Sequence, residues 1–373
     1  MSNFESIYDE VSVDTMLDSI EALDAGRRTE FKQSIMRLGK KVPLEFIKKI
    51  IIDVLALSEI KSLSQTGITT SDRKVDIVQL LDVITVGMNF NQRVIFQDIL
   101  GELHEGYLKS NLIPAFNDTA IAMEKLGILL GVNMAKVYQA NMDSDRTFII
   151  SQSVNENGSQ FVMFNRFHQL VKQKEQELGL QNSEIAPKTE RDKIKRLITS
   201  PILTIKRYSE MYPGKMSEED VEAFTDEYIK MICFDFIINQ TDRNDQNYGV
   251  LLDSNGRISF APLIDTDYVL PNPSDPNQQP FSLNKKYNKN EAMSVLCELY
   301  PQEVEDFMRK VNESKDTIFE ILETYLSPDM LRGRGNYVSI ISHNIQALEE
   351  IVSNRNQESH YHDTELGNDN RKI

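Results

Sequence analysis

The chain has no tryptophan and only two cysteines in 373 residues, Cys233 and Cys297. Two thiols cannot staple a disulfide scaffold, and neither has a histidine nearby at ligand spacing, so a zinc site is excluded there too. Both read as core residues of a protein in a reducing compartment. No stretch approaches the roughly 20 apolar residues of a bilayer span; Ile50-Ile51-Ile52 is cut by Asp53. The start, Met1-Ser2-Asn3-Phe4-Glu5, lacks the basic-then-apolar pattern of a secretory leader, and a cytoplasmic location is the expectation. Glycine never clusters as Gly-x-Gly-x-x-Gly or in a Walker run. Positive charge is also short: 41 Lys and Arg stand against 57 Asp and Glu, a net of −16, which disfavours general affinity for nucleic acid.

One local exception lies between Gly26 and Lys49, where Arg27, Arg28, Lys32, Arg37, Lys40, Lys41, Lys48 and Lys49 face only Glu30 and Glu45. On helical, amphipathic sequence this reads first as a solvated face and second as a surface for nucleic acid or an acidic partner. Another basic stretch, Lys188 to Arg207, reads as a linker or a substrate dock.

The most informative segment is central. An apolar helical run, Tyr228 to Ile238, opens into Asn239-Gln240-Thr241-Asp242-Arg243-Asn244-Asp245-Gln246-Asn247, followed by Tyr248-Gly249-Val250-Leu251-Leu252. Ser217 with Asp220 three positions on has the form of a capping box, and Val221, Phe224, Tyr228, Met231, Ile232 and Asp235 follow at helical spacing, so a buried helix is predicted to end near Thr241. Tyr248 to Asp253 and Arg257 to Ile264 read as strands joined by Ser254-Asn255-Gly256, which would return the chain so that Asp265 lies close to Asn247. A polar connection between helix and strand would look much the same over Asn239 to Asn247 alone. The conjunction of helix, loop, hairpin and terminal aspartate is what points to chemistry. A hydroxyl attacking a γ-phosphate needs a carboxylate to orient it and take its proton, which suits Asp242. A hard cation at the phosphates takes oxygen ligands, which suits the Asn247 amide and the Asp265 carboxylate.

Residues 228 to 270 resemble the HipA-like branch of the protein-kinase-like superfamily, through Thr241-Asp242, Asn247 and Pro262-Leu263-Ile264-Asp265. The phosphoinositide lipid kinases share a related Asp-Arg arrangement. The resemblance implies an α+β, two-lobed kinase fold, ATP and Mg²⁺, and transfer to Ser or Thr of a protein. It implies Asp242 as catalytic base and Asn247 and Asp265 as metal-binding residues. Asn244 stands where the family commonly has His.

Upstream, a kinase of this kind needs a phosphate-covering loop and an ATP lysine. Phe96 to Leu103, His104-Glu105-Gly106 and Tyr107-Leu108-Lys109 form a candidate hairpin, with Lys109 as candidate cofactor-binding residue and Glu124, on a helix predicted over Asn117 to Leu130, as its candidate partner. The adenine-binding hinge falls at Ser151–Val154 or at Phe161–Phe167. The organisation expected is a helical module over 1–90, a strand-rich small lobe over 91–168 dividing near Arg166 to Gln169, a large lobe over 169–353 and a disordered tail over 354–373. Two other readings stand beside the kinase: a nucleotide-binding pseudokinase used as a regulatory or scaffold module, and an interaction protein working through the amino-terminal helices.

Overall fold

The computed structural model describes residues 9–20, 25–36, 44, 47–48, 51, 74–86, 89–98, 100–109, 115–140, 148–155, 158–180, 186–240, 243–264, 266, 280–281, 284–326, 331 and 336–369. The fold is mixed α+β, and the chain divides into two compact units, Met1–Asn117 with Lys136–Ser153, and Asp118–Ala135 with Val154–Ile373.

The first unit begins with helices α1 (Glu10–Asp18) and α2 (Ala25–Met36). Asp9 caps α1 by accepting from the backbone N–H groups of Val11 and Ser12. Val13, Met16, Leu17 and Ile20 pack with Phe31 and Ile35 in a small core of their own. Across the pair, the Lys32 ammonium bonds Glu10 at 2.7 Å and Asp14 at 2.9 Å, and Arg28 pairs with Asp18. Two of the basic residues that made Gly26–Lys49 stand out are therefore matched by carboxylates of α1.

Five strands then close into a barrel: β1 (Lys74–Val86), β2 (Asn89–Gln97), β3 (Leu103–Lys109), β4 (Val137–Ala140) and β5 (Phe148–Gln152). Their order is β1-β2-β3-β5-β4, closed by parallel pairing of β4 with β1, so no strand edge is left open. Val75, Val94, Phe96, Leu108, Phe148 and Ile150 fill its interior. Strand β1 lies inside the stretch read from sequence as a helical module. Its β-branched content favours a strand, but its pairing with β2 shifts register between Ile77 and Gln79 and again between Leu80 and Val83. Such bulges break the period of two that marks a strand in sequence.

The second unit takes in most of helix α3 (Ala115–Leu129), a three-stranded antiparallel sheet of β6 (Gln160–Met163), β7 (Gly249–Leu252) and β8 (Ile258–Phe260), and a short pair, β9 (Pro280–Phe281) with β10 (Asn284–Asn288). Its other helices are α4 (Phe164–Glu177), α5 (Glu190–Met211), α6 (Glu218–Ile237), α7 (Lys289–Leu299), α8 (Pro301–Glu313), α9 (Lys315–Tyr325) and α10 (Tyr337–Asp369). One core joins them, with α6 at its centre and Ala122, Met123 and Leu126 of α3 part of it. That packing is why α3 belongs here although it follows a barrel strand. The final passage between units, at Ser153 and Val154, precedes the Arg166–Gln169 stretch read as the division. Helix α10 runs on beyond Ser353, into the stretch read as a tail. Cys233 and Cys297 are buried free thiols, and burial pushes both upward in pKa. Among the described residues no helix is long and apolar enough to cross a membrane.

Candidate active site

Helix α6 starts as its sequence dictates. The Ser217 hydroxyl accepts from the Asp220 N–H at 3.2 Å while the Asp220 carboxylate accepts from the Ser217 N–H at 2.8 Å, a reciprocal capping box. From Met231 to Ile238 every residue is buried, and Asp235 is the one charge among them. The helix ends in a Schellman motif: Gln240 N–H donates to the Asp235 carbonyl at 2.9 Å and Asn239 N–H to that of Phe236 at 3.3 Å. This requires Asn239 at φ 58°, a left-handed conformation that Asn tolerates better than most residues.

The next charge explains Asp235. Arg243 is fully buried, with Nε 2.9 Å from Asp235 Oδ2 and Nη2 3.2 Å from Oδ1. Its Nη1 donates to two carbonyls at once, Asn247 at 2.8 Å and Ile264 at 2.8 Å. One guanidinium thus joins the end of α6, the end of the polar loop and the residue before Asp265. Burial pushes the Asp235 carboxyl upward, and the two-point bond to Arg243 opposes it.

Around this centre the loop is shaped locally. Asn244 Oδ1 accepts from Gln246 N–H at 2.9 Å, and Asn247 N–H donates to the Asn244 carbonyl at 2.9 Å. Asn244 therefore turns the loop. Tyr248 O accepts from Phe164 N–H at 3.0 Å, then Val250, Leu251 and Leu252 pair with Phe260, Ser259 and Ile258. The turn uses Gly256 at φ 78° and the Asp253 carboxylate, which accepts from Asn255 and Arg257 N–H. Past β8, Leu263 is held on both sides: its N–H donates to Asn133 O at 2.8 Å and its carbonyl accepts from Ala135 N–H at 3.0 Å.

Asn247 is half-buried at the loop's end. Asp242 and Asp265 lie outside the described residues, although the chain on their described sides, Arg243 and Ile264, is fixed by the guanidinium. Lys109 is buried on β3 in the first unit and Glu124 is buried on α3 in the second.

A second buried cation supports the helix end. Lys289 Nζ lies 2.8 Å from Asn344 Oδ1 and 3.4 Å from Asn239 Oδ1, and sits 5.3 Å from the centroid of the Phe236 ring. Asn344 in turn donates to the Ile237 carbonyl at 3.0 Å. Burial lowers the Lys289 pKa to about 8. A lysine whose folded pKa is below its unfolded value carries a penalty at neutral pH that is relieved as pH rises through the window between them. Urea unfolding at pH 7 to 10 is therefore expected to show wild type gaining on Lys289→Met above pH 8, by on the order of 1 kcal/mol per pH unit. A constant difference would contradict a buried, ionised Lys289.

Sequence reading missed the partnership of Asp235 and Arg243 and the placement of Lys289. The available signal was Asp235 itself: a carboxylate inside an all-apolar run needs a partner.

No protein-family model and no curated protein sequence matches the chain. Among solved structures, the Helicobacter pylori proinflammatory kinase CtkA is similar over 75% of this chain and 96% of its own, with a TM-score of 0.50 at 11% identity. This chain shares the fold of a kinase. The HipA of a Shewanella oneidensis MR-1 toxin–antitoxin system, solved with HipB and operator DNA, is less similar, with a TM-score of 0.41 at 11% identity over 94% of this chain and 83% of that one. The kinase fold agrees with the HipA-like resemblance carried by residues 228 to 270.

Proposed function

We propose that the chain is an ATP- and Mg²⁺-dependent kinase of the HipA-like kind, transferring the γ-phosphate to Ser or Thr of a protein, itself included. The observation that carries this reading is the Arg243 guanidinium, which anchors the carbonyls of Asn247 and Ile264 to one nitrogen. Residues 247 and 264 are thereby tied to one point, and we infer that Asp265, next in the chain after Ile264, shares a cation with Asn247. Their donor set, an amide and a carboxylate oxygen, suits Mg²⁺. When bound, that ion offsets the charge of the phosphate oxygens.

Asp242 orients the acceptor hydroxyl and takes its proton as the bond to phosphorus forms. Arg243, buried and bonded to Asp235, Asn247 and Ile264, acts through them as a positioning residue. The unit containing the barrel is assigned as the small lobe and the unit containing α6 as the large lobe, with Lys109 and Glu124 carried as nucleotide-binding residues. The absence of a membrane-crossing helix among the described residues is compatible with action in the cytoplasm.

The Mg²⁺ dependence of phosphate transfer tests the metal assignment. Asn247→Ala is expected to raise the Mg²⁺ concentration for half-maximal rate by at least about tenfold, as loss of one oxygen ligand demands, and Asp265→Asn is expected to abolish transfer at any practical concentration. Unchanged Mg²⁺ dependence in Asn247→Ala would remove that residue from the site.

A further inference from the structure

Three buried polar side chains of the second unit meet at the end of α6: Asn239 just past the helix, Lys289 at the start of α7 and Asn344 within α10. Asn344 is bonded on both sides. Its Oδ1 accepts from Lys289 Nζ at 2.8 Å and its Nδ2 donates to the Ile237 carbonyl at 3.0 Å, so the amide cannot be turned over without losing both bonds. From α6 the ammonium also meets Asn239 Oδ1 at 3.4 Å and the face of Phe236. Among the described residues no carboxylate or histidine bonds it, and Asp235 of the same helix is paired with Arg243.

A buried cation without a counter-ion costs stability. Its place on α7 adds to that cost, because Lys289 is the first residue of the helix, where the dipole disfavours positive charge. What favours it lies across the interface. Phe236 and Ile237 close α6 and Asn239 follows its cap, Ile238, so the ammonium sits at the negative end of a 20-residue helix. Charged groups held at such expense gather at functional sites. This one touches the residue that leads into the polar loop, three positions before Asp242, at most about 11 Å of extended chain.

We propose that Lys289 is a positioning residue for phosphate transfer: its ammonium, held by Asn344, fixes Asn239 and through it the path by which the chain enters the loop carrying Asp242. The role rests on the kinase reading. Asn239, at φ 58°, sets the direction in which the chain leaves α6, and Lys289 holds its side chain from the α7 side. Hydrogen bonds from an ionised donor are roughly twice as strong as neutral ones. Burial lowers the Lys289 pKa to about 8, so loss of the proton above that pH weakens the grip on Asn239 while it relieves the penalty of a buried charge. Stability and transfer therefore respond in opposite directions as pH rises through that value.

Comparison of Lys289→Met with wild type in the full chain tests this. Transfer by the variant is expected to lose at least about tenfold in kcat with KM for ATP within about twofold, while its melting temperature at pH 7 matches or exceeds that of wild type. Wild-type kcat should fall above about pH 8, a limb that Lys289→Met lacks. Amide hydrogen exchange needs no turnover: residues 243–247 should exchange faster in the variant, and the centre of α6, residues 224–234, at the wild-type rate. Unchanged kcat, an alkaline limb shared by the variant, or equal exchange at 243–247 would overturn the proposal and leave the kinase reading standing. A fall in melting temperature with a matching loss of transfer would reduce Lys289 to a structural role. Faster exchange at 243–247 in a chain whose wild type transfers no phosphate would keep Lys289 as the residue that positions the loop and refute the kinase reading.

Discussion

Arg243→Ala is expected to lower the stability of the second unit by about 3–5 kcal/mol, because it strands the Asp235 carboxylate, fully buried, with its charge uncompensated. That is a large share of the roughly 5–15 kcal/mol by which domains are stable. Two carbonyls, of Asn247 and Ile264, lose their donor in the same change. Arg243→Lys should recover little, since a compact ammonium cannot reach a two-point carboxylate and two further carbonyls from one planar fork. Urea unfolding measures the loss. A double variant separates folding from positioning: Asp235→Leu with Arg243→Met removes both charges and is expected to regain most of the stability, yet to remain without phosphate transfer because nothing ties residues 247 and 264 together. Wild-type stability in Arg243→Ala, or wild-type transfer in the double variant, would contradict the role given to this guanidinium.

Gly249→Val is the second change expected to be severe. Any Cβ at this position would lie 2.3 Å from the Val162 carbonyl oxygen and 2.8 Å from the Phe161 ring. The clash is with backbone, so no side-chain rotation relieves it. Gly249 pairs with Met163, and its own carbonyl accepts from Ala261 N–H at 3.1 Å. It therefore sits where the loop carrying Asn247 enters the hairpin that returns to residue 264. Overpacking costs typically about 1–3 kcal/mol where a core can adjust, and here adjustment means separating β6 from β7. A lower melting temperature together with loss of transfer is expected. A Gly249→Val protein with wild-type melting and turnover would show that the approach of the two strands is not needed.

The elements nearest the proposed chemistry were legible because their signals are local. Ser217 with Asp220 marks the start of α6, and Ser254-Asn255-Gly256 marks the turn between β7 and β8, since capping and turn chemistry are settled within four residues. Arg243 was legible as a residue and not as a clamp. Its three partners lie at Asp235, Asn247 and Ile264, and a basic side chain in a polar loop gives no sign in sequence that it will be fully buried. Strand β1 was hidden by its own bulges, and the assignment of α3 to the second unit follows from packing across more than a hundred residues of chain. The carboxylates that match Lys32 and Arg28 precede Gly26–Lys49 on α1, so the charge of that stretch alone does not show how two of its cations are paired.

The most direct measurement is transfer of labelled γ-phosphate from ATP with Mg²⁺, to the chain itself and to mixed protein acceptors, with wild type compared against Asp242→Ala. Label on protein is expected with wild type, and a loss of at least about a thousandfold in the variant, whose folding, read by thermal melting, stays intact; removal of a positioned proton acceptor together with its orienting role is of that order. Equal transfer by wild type and Asp242→Ala, or no transfer by correctly folded wild type across metals and acceptors, would contradict this expectation.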